Sequence, residues 1–111
     1  MDSLGRRALL YDFYGAALRE RQRKAFELHY LEDLSLAEMA VELSCSRPAA
    51  LLLVRRAERT LEALDAALGS IAQHESELAA WVEVRSALIA GDGERAAATA
   101  TKRLKELGAD V

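Results

Sequence analysis

The sequence predicts an all-α protein: a helix-turn-helix core with additional N-terminal and C-terminal helices, about six helices in total. Three observations predict this fold class. Apolar residues recur at helical spacing along most of the chain. One proline and an aromatic content of 5% favour helices over a sheet. Two helix start signals flank an abrupt turn inside the stretch Leu34 to Arg59.

The first predicted helix covers residues 6–18. Its core-facing side chains recur at intervals of three and four: Leu9, Leu10, Phe13, Tyr14 and Leu18. Because no basic residues interleave with its aromatic side chains, we interpret these as core residues and a candidate helix-pairing surface, in preference to base-stacking residues. Gly15 weakens the helix and is expected to allow close packing of another backbone.

The second predicted helix covers residues 20–32 and starts at a highly charged corner. Its candidate core residues are Ala25, Phe26, Leu28, Tyr30 and Leu31. His29 is expected at the edge of this core, because no second histidine or carboxylate is spaced to share a metal with it.

The first helix of the module begins with two overlapping signals. Ser35 and Glu38 have the spacing of a capping box, and Leu34 and Met39 that of a hydrophobic staple. Its inward side is predicted to comprise Leu36, Met39, Ala40 and Leu43. The polar run Ser44-Cys45-Ser46 then predicts a sharp turn.

The second helix of the module starts at Ser46 as N-cap, with Pro48 in its first turn, where a missing amide costs no hydrogen bond. The shared core is completed by Cys45, Ala50, Leu53 or Val54, and Ala57. An ordinary helical hairpin is the alternative, but it does not need so abrupt a turn with caps on both sides. As the only cysteine, Cys45 excludes an internal disulfide and is interpreted as a small buried side chain.

The second module helix continues to Gly69, a plausible helix end. A further helix is predicted at residues 71–90, where Trp81 is expected to anchor it on the module or on a second subunit. After the turn Gly91-Asp92-Gly93, an alanine-rich helix ends the chain. We therefore predict one helical domain, 1–111, divided into supporting helices 6–33, the module 34–69 and a C-terminal extension 70–111.

The formal charge of −3 argues against a protein that coats nucleic acid through bulk positive charge, so the distribution of charge matters more. One basic cluster precedes the module: Arg19, Arg21, Arg23 and Lys24. A second lies on the second module helix: Arg47, Arg55, Arg56 and Arg59. Both are candidate nucleic-acid-binding residues. For the second cluster, ion pairs with Glu58 and Glu62 on a solvated face are an equally good interpretation.

Several classes of protein are disfavoured. No apolar run has the ~18 residues of a membrane span, and the N-terminus lacks a secretory apolar segment, so a cytoplasmic location is expected. We find no glycine-rich phosphate loop, no nucleophile with a base on a local motif and no paired acids. The sequence therefore predicts a protein that is not an enzyme, with no cofactor, metal site or catalytic residue.

Three runs resemble a known family: YDFYGAAL, ERQRKAFELHYLEDLSLAEMA and SRPAALLLVRRAERTLEAL. They are similar to the YlxM family of small bacterial proteins, in which a module related to the promoter-reading domain of sigma factors follows a helix with a DFY-like motif. The match covers roughly residues 9–69. The resemblance implies a candidate DNA-binding protein linked to the signal recognition particle pathway, through the particle's GTPase and RNA.

The sequence departs from this family on the outer side of the second module helix. Family members usually carry a glutamine and then a tyrosine with polar residues there, whereas this chain has Pro48, Leu51 and Leu52. Residues 48–54 include no polar side chain, and reading bases directly needs donors or acceptors at base edges. Arginines can still hold phosphates, and an apolar face is typical of a protein contact.

The leading hypothesis is a non-enzymatic adaptor or regulator, accessory to the signal recognition particle, that contacts RNA or DNA phosphates with its arginines and protein with Pro48, Leu51 and Leu52. One alternative is a dimeric protein-interaction module that has lost nucleic-acid binding. Another is a conventional DNA-binding transcriptional regulator. The apolar excess of the chain favours a homodimer.

Overall fold

The computed structural model describes residues 3–111, with side chains from Gly5 onward, so residues 1 and 2 of the predicted domain lie outside it. The six α-helices within this range are α1 (Ser3–Tyr14), α2 (Glu20–Phe26), α3 (Leu36–Glu42), α4 (Arg47–Leu68), α5 (Ser70–Ile89) and α6 (Gly93–Glu106). Residues 3–111 contain no strand, which confirms the all-α class. The chain forms two compact units, one ending at Ile71 and one covering Ala72–Val111. The assignment of residues 1–111 to one helical domain stays a prediction.

The first helix ends earlier than predicted. α1 stops at Tyr14, a 3-10 turn covers Gly15–Ala17, and Leu18 is extended. A larger residue would not fit at Gly15 without a shift of Tyr11, because a Cβ atom at this position would lie 2.8 Å from the Tyr11 ring carbons Cδ2 and Cε2. The close contact at Gly15 is therefore with the Tyr11 ring of α1, and not with another backbone as expected.

The predicted helix 20–32 is helical over nearly that extent, but its winding changes. Glu27–Leu31 form a π-helical turn, in which the Glu32 amide donates to the Glu27 carbonyl at 2.9 Å, five residues back. The Leu34 amide then donates to the Leu28 carbonyl at 2.9 Å. This closes the helix immediately before the module.

The helix-turn-helix start signals are confirmed. The Glu38 amide donates to Ser35 Oγ and the Ser35 amide donates to Glu38 Oε1, both at 3.1 Å, which is the predicted capping box. The Ala49 amide donates to Ser46 Oγ at 3.1 Å, so Ser46 caps α4 with Pro48 in the first turn. In the turn between these helices Ser44 has φ 52°, a left-handed conformation that makes the reversal abrupt.

Two clusters of buried side chains hold the first unit together. One joins α1, α2, α4 and the start of α5: Leu10, Tyr14, Leu18, Phe26, Ala57, Leu61 and Ile71. The other lies under the module: Ala25, Leu28, Met39, Leu43, Ala50 and Val54. Leu53 and Cys45 are half-buried against the second cluster, and Ala57 belongs to the first, outside the shared module core predicted for it.

A polar joint connects α1 with the turn between α4 and α5. The Tyr14 hydroxyl donates to Asp65 Oδ1 at 2.7 Å and accepts from the Ser70 amide at 3.0 Å. Asp65 Oδ1 also accepts from the Ile71 amide at 3.2 Å. Two free amides at the start of α5 are thus satisfied by side chains of other helices, while Gly69, at φ 66°, ends α4 as predicted.

The second unit has a small buried core. Ala87 and Ala96 are buried, and Arg103 of α6 bonds to Glu77 of α5. Asp92 caps α6 by accepting from the Arg95 amide at 3.0 Å. Trp81 is 63% exposed, and its anchoring on the module or on a second subunit stays a prediction.

Candidate nucleic-acid interface

The module presents a mixed apolar and basic stripe along α4. The buried residues of this helix recur at intervals of four, three and four: Ala50, Val54, Ala57 and Leu61. Two positions before each of these lies an exposed residue: Pro48, Leu52, Arg55 and Arg59. A shift of two residues is roughly half a helical turn, so these four form the outward stripe, with Arg56 beside it. Arg47 is exposed at the first position of the helix.

The arginines of the outward stripe have no ion-pair partner within 4 Å among residues 5–111. Glu58 and Glu62, the acids predicted to pair with these arginines, instead pair with arginines of α1. Arg6 makes two hydrogen bonds to Glu62, at 2.9 and 2.7 Å, and Arg7 Nε lies 3.7 Å from Glu58. These contacts leave Arg55, Arg56 and Arg59 available for an external anion.

The pairing of α1 with α4 also sets the ionisation of the groups involved. The Arg6 guanidinium holds the pKa of Glu62 below its usual range, and Glu62 raises the pKa of Arg6. The Tyr14 hydroxyl, followed by the Ile71 amide and Arg6, lowers the pKa of Asp65. Glu62 and Asp65 are therefore fixed as anions at neutral pH and bound to α1.

Beside this pairing, Arg7 and Tyr30 form a second contact with the same edge of α4. The Arg7 guanidinium lies over the Tyr30 ring at 4.5 Å, and the Tyr30 hydroxyl bonds to Glu58. Burial, together with Glu58, raises the pKa of Tyr30 to about 12. Sequence reasoning missed both α1 arginines. Glu58, Glu62 and Asp65 recur at helical spacing along one edge of α4, which indicates a basic partner without saying which helix supplies it.

The first basic cluster is divided in its contacts. Arg21 donates to the Leu43 carbonyl at 3.1 Å, so its guanidinium lies at the end of α3, beside the turn of the module. Arg23 lies 3.9 Å from Glu27 on its own helix. Arg19 and Lys24 are exposed, with no ion pair among residues 5–111. Part of this cluster therefore supports the fold, and part remains open to solvent.

The three apolar residues predicted as a protein contact are not equally exposed. Pro48 is exposed and Leu52 is 42% exposed, whereas Leu51 is half-buried at the edge of the helix. Leu52 is therefore the main apolar side chain of the outward stripe. It is separated by one turn from Arg55 and Arg56, so an apolar contact and a phosphate contact are possible on adjacent parts of one surface.

Comparison with known proteins identifies the family of the chain. A family model described as "Putative helix-turn-helix protein, YlxM / p13 like" matches residues 1–91. The chain belongs to this family. Its UPF0122 relative from Symbiobacterium thermophilum is 42% identical over 92 residues, covering 83% of this chain and 86% of the relative. The UPF0122 protein of Shouchella clausii is 33% identical over 107 residues, covering 96% of this chain and 98% of the relative.

A third UPF0122 protein, from a Thermoanaerobacter species, is 45% identical over 67 residues, covering 60% of this chain and 57% of the relative. Membership of a helix-turn-helix family makes the surface of α4 the first place to look for function. UPF0122/YlxM-like proteins are described by this module and not as an enzyme family. In this member, the described residues include no group of three or more His, Cys, Asp or Glu side chains placed to hold a metal ion.

Among residues 3–111, no helix combines the length and the apolar composition needed to cross a bilayer. Within the module, α4 carries exposed arginines next to the exposed Leu52.

Proposed function

We propose that this chain is a non-enzymatic helix-turn-helix adaptor or regulator that binds nucleic acid by its phosphates. The observation that carries the proposal is the stripe of α4, whose arginines are exposed while Glu58 and Glu62 are held by α1. The residues that would contact phosphate are Arg47, Arg55, Arg56 and Arg59, assisted by Arg19, Arg21, Arg23 and Lys24. Phosphate contacts supply affinity and register without selecting a sequence.

The same proposal includes a protein contact through Pro48, Leu51 and Leu52. Support comes from the exposure of Pro48 and Leu52 directly beside the arginines. The resemblance to the YlxM family makes the signal recognition particle the first partner to test, in the cytoplasm, with the chain acting as a homodimer. RNA and DNA both present the phosphates that this surface would bind.

The decisive experiment measures binding to a random-sequence DNA duplex and to an RNA hairpin as a function of salt. Each neutralised phosphate of a duplex contributes roughly −0.9 to the slope of log affinity against log salt, so four arginines predict a slope of roughly −3.6. The triple variant Arg55→Gln, Arg56→Gln, Arg59→Gln is expected to reduce that slope by about 2.7 and the low-salt affinity on the order of a hundredfold.

A matched control removes the same charge from the second unit, by Arg85→Gln, Lys102→Gln and Lys105→Gln. These residues are exposed and have no ion pair among residues 5–111. The control is expected to retain most of the affinity and the slope. Equal losses in the two triple variants would assign binding to bulk charge, and binding that ignores salt would contradict the phosphate contacts.

The apolar part of the stripe favours a second candidate function, a protein-interaction module without nucleic-acid binding. Leu52→Glu separates the two functions. If it dissociates a dimer or a complex with particle components, as measured by sedimentation over a dilution series, and nucleic-acid affinity is unchanged, the apolar face is an interface. If wild-type protein binds neither nucleic acid, the second candidate replaces the first.

A further inference from the structure

A cavity of about 340 Å³ lies between α1 and α4, on the side of α4 where the α1 arginines contact it. Its base is formed by Leu10, Phe26 and Leu61, which belong to the buried core and are at most 2% exposed. This volume falls at the lower end of the range of small-ligand pockets, which begins at about 300 Å³. The side chains of the base have no hydrogen-bonding groups, so this part of the cavity suits an apolar side chain or ring.

The rim of the cavity carries an excess of one positive charge. Three arginines and two glutamates line it: Arg6, Arg7, Arg59, Glu58 and Glu62. Each glutamate is held by an α1 arginine, Glu62 by Arg6 and Glu58 by Arg7. Arg59 has no ion-pair partner among residues 5–111, so it is the one rim cation left without an anion.

We propose that this cavity binds a small amphipathic anion, an aromatic carboxylate or sulfonate, with its ring in the cavity and its charged group on Arg59. The ring would contact the core residues of the base and the methylene stems of the rim side chains, which are apolar over most of their length. A guanidinium without a partner selects an anion, and can bind both oxygens of a planar carboxylate. A cationic ligand would be repelled by Arg59, whose charge is not neutralised.

This inference does not depend on nucleic-acid binding, although it assigns Arg59 to two surfaces. Arg59 lies on the outward stripe and also on the cavity rim. An anion that occupies it removes one cation from the stripe. A ligand in the cavity would therefore compete with one phosphate contact if the proposed function holds, and would bind equally well if it does not.

The test uses anilinonaphthalenesulfonate, a fluorescent anion with an aromatic body, titrated into the full-length protein. We expect saturable binding to wild type and about tenfold weaker binding to Arg59→Gln, the loss typical of one charge-assisted contact. The neutral analogue N-phenylnaphthylamine should bind wild type less tightly than the anion and should not distinguish wild type from Arg59→Gln. Thermal unfolding followed by circular dichroism verifies that the exposed Arg59 can be replaced without unfolding.

The matched control is Arg85→Gln in α5. Arg85 is exposed and lies one turn from the exposed Trp81 and Ile89, so it reproduces an arginine beside apolar surface without a cavity. We expect Arg85→Gln to bind the probe as wild type does. Methyl resonances of Leu10 and Leu61 should shift with the probe, which locates it at the base.

Several results would overturn the proposal. Absence of saturable probe binding to wild type below about 1 mM would do so, since this corresponds to negligible affinity. So would equal binding by wild type and Arg59→Gln, or loss of binding in Arg85→Gln with the two leucine resonances unmoved. Probe binding that disappears as protein concentration rises would assign the cavity to a side chain of a second copy and would also overturn it.

Discussion

The arginines of α1 and those of α4 differ in what they contact, although the two helices pack side by side. Arg6 and Arg7 are bound to carboxylates of α4, whereas Arg55, Arg56 and Arg59 on α4 itself have no acidic partner among residues 5–111. The acids Glu58 and Glu62 lie within one turn of the α4 arginines along the sequence. Proximity in sequence therefore does not decide the pairing.

The physical reason lies in geometry. A pair within one helix contributes about 0.3–0.5 kcal/mol and competes with solvent. Arg6 instead donates from Nε and Nη2, one edge of its guanidinium, to both carboxylate oxygens of Glu62, and Nη2 also lies 3.4 Å from Asp65 Oδ2. A contact between helices with two hydrogen bonds has a more favourable geometry than a single exposed pair. The consequence is functional, because tertiary pairing of the acids frees the arginines of the module.

The largest effect is expected at Asp65, where α1 is attached to α4 and to the start of α5. Asp65→Ala removes the acceptor used by the Tyr14 hydroxyl and the Ile71 amide, and both would lose their partner in a largely buried place. We expect a loss of about 2–3 kcal/mol in the free energy of unfolding. Urea unfolding followed by circular dichroism measures it.

The control for this variant is Asp12→Ala, an exposed acid of α1 with the same change in charge. It should change the stability by no more than about 0.5 kcal/mol. Similar losses in both variants would show that the joint at Asp65 does not carry the stability assigned to it.

A smaller effect is the loss of stability that we expect at low pH. The pKa values of Asp65 and Glu62 are lowered in the folded protein, the first mainly by the Tyr14 hydroxyl and the second by Arg6. A carboxyl with a lowered folded pKa stabilises the protein fully above its unfolded pKa, about 3.9 for Asp and about 4.3 for Glu. That contribution is lost as pH falls through the folded pKa, so thermal stability should decline below about pH 4.

The variant Asp65→Asn tests the sign and the source of this decline. Without the titrating carboxyl, the melting temperature should fall less steeply between neutral pH and strong acid than it does in wild type. Asp12→Asn should follow the wild-type curve. An unchanged slope in Asp65→Asn would remove Asp65 from the explanation of acid sensitivity.

Much of the fold could be predicted because its signals are local. The caps at Ser35 and Ser46, Pro48 in the first turn and the end of α4 at Gly69 each depend on residues within one turn of chain. The end of the first helix and the change of winding in the second were not predicted, since the packing of the Tyr11 ring on Gly15 and the π-helical turn at Glu27–Leu31 leave no distinct pattern in the sequence.

The candidate site could be predicted only in part. Helical spacing places Leu52 and the α4 arginines on the outer side of the module, and the structure places them there. The arginine partners of Glu58 and Glu62 lie more than fifty residues away in the chain, as with Arg6 and Glu62, separated by 56 positions. A contact of that separation depends on how α1 packs on α4, which no local pattern specifies. The cavity depends on the same packing and was therefore also missed.

The smallest expected effect is also the most direct test of the comparison, because Glu62 has two candidate partners: Arg6 on α1, and Arg59 three residues earlier on α4. A double-mutant cycle is made for each pair with Arg6→Gln or Arg59→Gln and Glu62→Gln, and unfolding by urea is measured in low salt. The Arg6 pair should show a positive coupling that declines with added salt, as expected of exposed charges, and the Arg59 pair should show none.

For nucleic-acid binding we expect the opposite order, with a larger effect of Arg59 than of Arg6. Arg59→Gln is expected to weaken binding more than Arg6→Gln, because Arg6 is already occupied by an acid of its own protein. If the Arg59 pair instead has the larger coupling, Glu62 neutralises Arg59 in solution. The stripe then has one fewer cation for phosphate, and the salt slope of wild-type binding should already be lower by about one.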